Sequence, residues 1–380
     1  MRHRERLLAA LQHREPDRVP LDLGAALACS INVQTYDGLK KRLGLATPTL
    51  ALHRLGQVAV VEEAVLQRFD VDARGIRPGG IGAGTPAAWH EAWQGERDEW
   101  GVVWNKPANG HAYDVDSPFR AEVVSAADLA RHRWPDPDDP ARLVGLRERA
   151  LCLRDESDYG VVLSLSLYPY DQCHMLRGYT NWLMDLAADP RFAAALLDAV
   201  TEAMVAMVDH VLAEVGDLVD VVCWGDDISN QNGPMIAPHT YRQIVRPRHE
   251  RMMAAFKRGT AAKVFFHTDG SVAWAIDDLI DIGVDILNPV QVAAAGMDTA
   301  ILKRRFGDRV SFWGAGCDSQ GVLPFGTPEQ VREEVRRRLS DLAPGGGFVF
   351  APIHHIEAEV PPDNVVAMYD AAREFGVYSH

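Results

Sequence analysis

Hydrophobic and polar positions along this chain alternate between two periods. Short runs rich in β-branched and aromatic residues are separated by longer stretches whose apolar positions recur at helical spacing. The short runs lie at 18–23, 70–76, 160–165, 218–224, 263–267, 284–289, 310–314 and 347–352. Strands that alternate with helices are joined by crossovers, so the pattern predicts βαβ units and a parallel sheet. Eight such units predict an α/β chain closed as a (β/α)8 TIM barrel, with its chemistry at the carboxyl ends of the strands. The residues at those ends are Asp22, Arg77, Tyr168, Asp226, His267, Asn288, Cys317 and His354.

The helical stretches carry their own punctuation. Apolar positions keep helical spacing over 192–213. Thr327 before Pro328 predicts an N-cap with proline in the first turn, and Pro361-Pro362 opens the last helix. Pro344 and the three glycines after it break the chain before the last strand. Segment 89–120 departs from the pattern, being rich in Trp, Gly and charge, with 98–104 reading as strand. It predicts a small antiparallel element inserted after strand two, serving as a lid, a dimer contact or a covering flap. The chain then reads as one domain, 1–380, with an insertion at about 85–120.

Composition narrows the function more than the fold. A length of 380 residues allows two domains, but α/β barrels run past about 250 residues as one unit. A hydrophobic fraction of 47% suffices for a large core. The net charge is −14, from 53 acidic and 39 basic side chains, and no basic stripe is present, which argues against nucleic acid. Arg336, Arg337 and Arg338 follow Glu329, Glu333 and Glu334, as on a solvated helix face. The cysteines (Cys29, Cys152, Cys173, Cys223 and Cys317) are odd in number, far apart and in no CxxC pair. A reducing, cytoplasmic setting fits them better than a disulfide framework. The charged N-terminal segment lacks the apolar run of a signal peptide, and no run approaches the ~18 apolar residues of a membrane span.

Four segments carry candidate chemistry. In Phe266-His267-Thr268-Asp269-Gly270 an apolar strand ends in a histidine and a carboxylate two residues apart, with a helix expected from Ser271. They could bind Zn²⁺, act as a base with its orienting partner, or cap the helix. His354-His355 follows the last strand, and alternation along a strand predicts that only one ring faces the barrel axis. A pocket of His267, Asp269, His354 and Cys317 would suit Zn²⁺, although a lone cysteine also serves as a small packing residue. Asp226-Asp227 suits a hydroxyl, an amine or a cation, or a cap. Tyr168 to Arg177, with His174, reads as a pocket wall or a packing face. The glycine-rich run 79–84 lacks the Lys-Ser/Thr of a P-loop, and neither a dinucleotide fingerprint nor a nucleophile elbow is present.

Several segments carry a resemblance in their order: Arg14-Glu15-Pro16-Asp17-Arg18-Val19-Pro20, Gly225-Asp226-Asp227, His267-Thr268-Asp269-Gly270, Gly283-Val284-Asp285-Ile286-Leu287-Asn288-Pro289-Val290-Gln291, Gly326-Thr327-Pro328-Glu329 and Pro361-Pro362-Asp363-Asn364. Nearly the whole chain resembles the uroporphyrinogen decarboxylase-like superfamily, which includes the decarboxylase and zinc-dependent corrinoid methyltransferases. The resemblance implies a (β/α)8 barrel. In the methyltransferase branch a His-x-Cys-Gly motif and a later Cys hold Zn²⁺; here those positions read His267, Asp269 and, on or near the last, His354. A further acidic ligand of some relatives would fall near Val290-Gln291. The decarboxylase branch needs arginines near the first strand, and none follows Arg18. Its tyrosine falls at His174, and its C-terminal histidine matches His354 or His355.

The resemblance therefore implies a methyltransferase, linked to a corrinoid (cobalamin) partner protein or demethylating a small methoxylated molecule. His267, Asp269, His354, Asp226 and His174 would be catalytic. Tyr168, Arg77, Arg177, Asp227, Asn288 and Gln291 would bind substrate, with Zn²⁺ on His267, His354, Asp269 and Cys317. A metal-free decarboxylase or lyase, with Arg77 or Arg177 on the substrate's carboxylate, is one alternative. A non-catalytic corrinoid- or tetrapyrrole-binding protein is the other. A homodimer is compatible with either.

Overall fold

The computed structural model describes residues 1–53, 55–79, 85–86, 92–108 and 110–378. Seven parallel strands form one curved sheet: β1 (Ala73–Ile76), β2 (Gly160–Ser164), β3 (Val221–Gly225), β4 (Lys263–His267), β5 (Ile286–Asn288), β6 (Ser311–Ala315) and β7 (Phe348–Ala351). Each pairs with the next in chain order, as right-handed βαβ units dictate. The run at 18–23 was expected as a strand but supplies only isolated bridges, Leu21 to Phe350 in parallel and Arg18 to Val377 antiparallel. Pro20 has no N–H to give a ladder, and Gly24, at φ +87°, turns the chain away. The segment still closes the barrel. Asp22 N–H donates to Phe350 O at 2.9 Å, Phe350 N–H to Pro20 O at 2.9 Å, and Asp72 N–H to Leu21 O at 2.8 Å.

Period-two alternation sorts the strand residues. Ala73, Val162, Val221, Cys223, Phe265, Ile286, Trp313, Val349 and Ala351 form the barrel interior with Leu7 and Leu11. Their neighbours Val161, Val222, Val264, Phe266, Phe312 and Phe350 face the helical layer. Each large side chain contributes roughly 2 kcal/mol of transfer free energy, so a slip of one residue is strongly disfavoured. Carried one step along β4 and β5, this phase turns His267 and Asn288 inward. Helix His3–Leu11 lies across the strand starts, where Gly347 N–H donates to Ala10 O at 2.7 Å.

The outer helices include Pro190–Val215, Pro328–Leu342 and Pro362–Phe375. Thr327 caps the second through a reciprocal box with Gln330. The helix expected from Ser271 begins only at Ile276. The Ser271 hydroxyl donates to Ala295 O at 2.5 Å and is not available as a cap. The insertion is a three-stranded antiparallel sheet of Trp93–Arg97, Val103–Lys106 and Tyr113–Asp116. The strand expected at 98–104 starts late because Asp98 Oδ1 accepts the N–H groups of Trp100 and Val102, both at 2.9 Å, which closes a turn. The glycine-rich run from 80 to 84 and the opening of the insertion at 87–91 lie outside the described residues. Among the described residues no helix is long and apolar enough to cross a membrane.

Candidate metal centre

His267 is the last residue of β4 and is buried. Its Nδ1 lies 2.6 Å from Asn288 Oδ1. Asn288 spends its Nδ2 on Trp313 O at 2.8 Å and on Cys29 Sγ at 3.2 Å. Only Oδ1 is left to face the ring, so His267 carries a proton on Nδ1 and turns Nε2 toward the mouth. Gly270 then folds the chain back at φ +85°, where a Cβ would lie 2.6 Å from Asn230 O. The turn brings Asp269 Oδ2 to 3.6 Å from His267 Nε2.

His354 arrives from beyond β7. The expectation that only one of the two adjacent rings faces the mouth does not hold. His354 sits at φ +59°, which breaks strand alternation, and its ring centroid lies 4.3 Å from that of His355. His354 Nε2 lies 3.9 Å from Asp269 Oδ2, and its ring 5.7 Å from that of His267. His267, Asp269 and His354 can thus each offer a ligand atom within 4.8 Å of the others.

Charges in this mouth are crowded. Burial works to lower the pKa of His267, but the carboxylates of Asp269 and Asp227 and the bond to Asn288 outweigh it and raise it. Burial would raise Asp269, yet His267 and His354 hold it low. His354 is lowered by burial and by the two histidines beside it. Asp227 is raised by burial and by Asp269 and Asp171. It accepts the Asp269 N–H at 2.7 Å and donates its own N–H to Asp171 Oδ2 at 3.0 Å, joining the two acidic loops.

The other residues singled out from the sequence divide. Tyr168 presents its ring edge-on to His267 at 6.1 Å and forms a wall of the site. Gln291 accepts the Gly270 N–H at 2.7 Å and donates to Gln231 Oε1 at 2.7 Å, fixing the turn after β4. Arg77 donates to Gly24 O at 2.7 Å and Ala25 O at 3.2 Å, while its buried Nε has no partner among the described residues. Burial lowers that guanidinium to about 10 despite nearby Asp22. His174 stays on helix Pro169–Arg177, 3.4 Å from Asp171 Oδ1 and edge-on to Tyr179 at 5.6 Å.

Three residues are committed elsewhere. Asp226 is fully buried and accepts the N–H groups of Tyr170 and Asp171 at 2.8 and 3.0 Å, with His249 Nε2 at 2.9 Å. It anchors the start of that helix. Arg177 gives its donors to Asp185 and to the carbonyls of Phe119, Ala121 and Glu122, tying the insertion to the barrel. Cys317 is buried, with Glu334 and Arg338 as its charged neighbours, and is not in the ligand group. The bend after β6, with Ala315 at φ +52°, leaves it buried in the packed layer. Glu357 was missed, and His355 was read only as an alternative to His354. The spacing His354-His355-Ile356-Glu357 was visible, but the left-handed turn that turns it into the mouth was not.

The donor set itself is the test of fit. Two imidazole nitrogens and one carboxylate oxygen match three-ligand catalytic zinc sites and the two-histidine, one-carboxylate sites of other first-row metals. Tetrahedral bonds of about 2.0–2.1 Å put donors roughly 3.3 Å apart, close to the 3.6 and 3.9 Å seen here. The residues fit a metal with an open position.

Comparison with known proteins agrees with the geometry of the barrel. A family model for uroporphyrinogen decarboxylase (URO-D) matches residues 112–375. Uroporphyrinogen decarboxylase of Alkalilimnicola ehrlichii is 27% identical over 273 residues, which is 69% of this chain and 70% of that protein. The enzyme of the same name from Methylococcus capsulatus is 26% identical over 269 residues, 69% of this chain and 73% of that one. A methyltransferase from Methanosarcina mazei shares the fold, at 18% identity and a TM-score of 0.66, over 99% of both chains.

Proposed function

The chain belongs to the uroporphyrinogen decarboxylase family, whose members are enzymes, and from that premise we propose that it is a metal-dependent methyltransferase that removes an oxygen-linked methyl group from a small molecule, with a corrinoid protein as its partner. The observation that carries this reading is the convergence of His267, Asp269 and His354 on one point of the barrel mouth. A divalent metal held there would act as a Lewis acid on the substrate's oxygen. The chain's own residues do the rest. Asn288 holds the His267 ring so that Nε2 faces the site, and Gln291 and Asp227 hold the loop that carries Asp269. Tyr168 walls the pocket beside His267. With nitrogen and oxygen donors in place of thiolates the site is hard, which favours an oxygen leaving group over activation of a thiol.

The test is metal content together with turnover. Protein expressed with zinc is expected to hold metal that His267→Ala and Asp269→Ala lose. Wild type alone is expected to change the visible absorbance of added cob(I)alamin when a methoxylated aromatic is supplied. A folded protein free of metal after supplementation would sink the metal-dependent reading.

Arg77 favours a second reading, a carboxy-lyase acting on a small carboxylated substrate. Its buried Nε is a donor waiting for an acceptor. Binding of a carboxylated ligand that weakens at least tenfold in Arg77→Ala, without need of metal, would favour it over methyl transfer.

A further inference from the structure

The mouth holds donors that the first site leaves unused. His355 Nε2 is buried and lies 3.2 Å from Glu357 Oε1, yet the two are not aligned as a hydrogen bond. A ring nitrogen and a carboxylate oxygen this close are two donors that one cation could share. The third member is His354. Its Nε2 lies 3.9 Å from Asp269 Oδ2, while its Nδ1 lies 4.0 Å from Glu357 Oε1. One imidazole thus stands between two carboxylates, with a nitrogen toward each. The ligand atoms of His354, His355 and Glu357 all lie within 4.8 Å of one another. The backbone that brings this about is left-handed at His354, a conformation that costs of order 1 kcal/mol outside glycine. Without it the two rings would point to opposite faces.

We propose that His354, His355 and Glu357 form a second divalent-cation site that shares the His354 ring with the first, making the mouth a two-cation centre. The proposal extends the metal-dependent reading but stands on its own donors. The set is again two imidazoles and a carboxylate, suited to Zn²⁺, Co²⁺ or Mn²⁺. A ring that serves two cations gives up its remaining N–H proton to solvent. Arg77 lies on this side with His53, which burial keeps neutral, and with His111; on the other side stand Asp269, Asp171 and Asp227, the last resisting ionisation beside the other two. Two cations side by side would grip an anionic, oxygen-rich substrate group such as a carboxylate.

Zinc titration of chelator-treated full-length protein, by calorimetry and elemental analysis, tests this directly, with circular dichroism as the check on folding. Wild type is expected to take two ions per chain. Glu357→Gln and Asp269→Asn are each expected to take one, and His354→Ala is expected to weaken both sites. His355→Gln stands in should Glu357→Gln not fold. Cobalt(II) absorption gives an independent readout, since Glu357→Gln should lose one of two visible components. One ion in wild type, lost in Asp269→Asn and kept in Glu357→Gln, overturns the second site and leaves the first. One ion lost in Glu357→Gln and kept in Asp269→Asn supports the second site and overturns the first. No ion at saturating zinc overturns both.

Discussion

At the strand starts Asp72 is fully buried and accepts hydrogen bonds from Arg6 Nη1 at 2.6 Å, Arg18 Nη1 at 2.6 Å and the Leu21 N–H at 2.7 Å. At the strand ends Asp227 meets two other carboxylates, Asp269 and Asp171, and the backbone that carries them. The base pairs its charges throughout. Arg18 also holds Asp70 at 2.8 Å, His3 bridges Asp70 and Asp158 at 3.1 and 3.0 Å, and Arg4 holds Asp220 at 2.8 Å. The mouth crowds like charges together and leaves Arg77 without a carboxylate at its Nε. The same residue types serve the fold where each finds a partner. They are candidates for chemistry where the fold crowds several of them into one mouth.

Breaking the base should cost most. Asp72→Ala removes the buried carboxylate that two guanidiniums share, leaving Arg6 on Asp17 and Arg18 on Asp70, which predicts a loss of about 3 kcal/mol, read as a lower denaturant midpoint. A loss below about 1 kcal/mol would mean that water reaches the pair and that the contrast between the ends is overstated. At the mouth the first effect should fall on metal affinity. Asn288→Ala frees the His267 ring, so zinc binding is expected to weaken by about 10–100-fold. Equal affinities in calorimetry would show that packing alone orients the ring.

A third substitution sharpens the comparison by its sign. Asp227→Asn keeps an oxygen for the Asp269 N–H and removes a carboxyl whose ionisation the folded mouth opposes. Stability at neutral pH is expected to hold or rise by up to about 1 kcal/mol, since a buried carboxylate among carboxylates opposes folding. Turnover is expected to fall. A clear loss of stability, measured by urea unfolding, would place Asp227 with the paired charges of the base.

Much of this difference could be read from the chain, because it follows from periodicity. Seven of the eight hydrophobic runs became strands, and phase two along β4 and β5 put His267 and Asn288 on one side. Polar residues at strand ends marked the mouth. What escaped was set by single backbone torsions and by distant partners. His354 at φ +59° reversed the expected facing of His355, and nothing local marks that residue for a left-handed conformation. Asp226 looked like Asp227 in sequence. The structure gives its oxygens to the Tyr170 and Asp171 N–H groups, more than fifty residues earlier. Cys317 suited a zinc set by its residue type and its place at a strand end, but the chain beyond β6 buries it elsewhere. The paired base was the least legible, because Arg6, Arg18 and Asp72 meet only through the barrel's closure.

The smallest expected effect tests whether the base behaves as a paired network when its protons change. Asp17 accepts from Arg6 Nε at 2.7 Å and Nη2 at 2.9 Å, and from the Arg18 N–H at 3.0 Å. The hydrogen bond from Arg6 holds its pKa well below the usual carboxylate range. A group depressed in the folded state adds stability above its unfolded value of about 3.9, and that stability is lost as pH falls toward the folded value. The side chain is 42% exposed, so solvent screens the pair and the contribution is at most about 1 kcal/mol. Wild type should therefore lose stability more steeply than Asp17→Asn between pH 4 and 2, while the two curves run parallel from pH 5 to 7. Parallel acid limbs would show that Arg6 is satisfied by Asp72 alone, and that the paired base ends one residue deeper than its hydrogen bonds suggest.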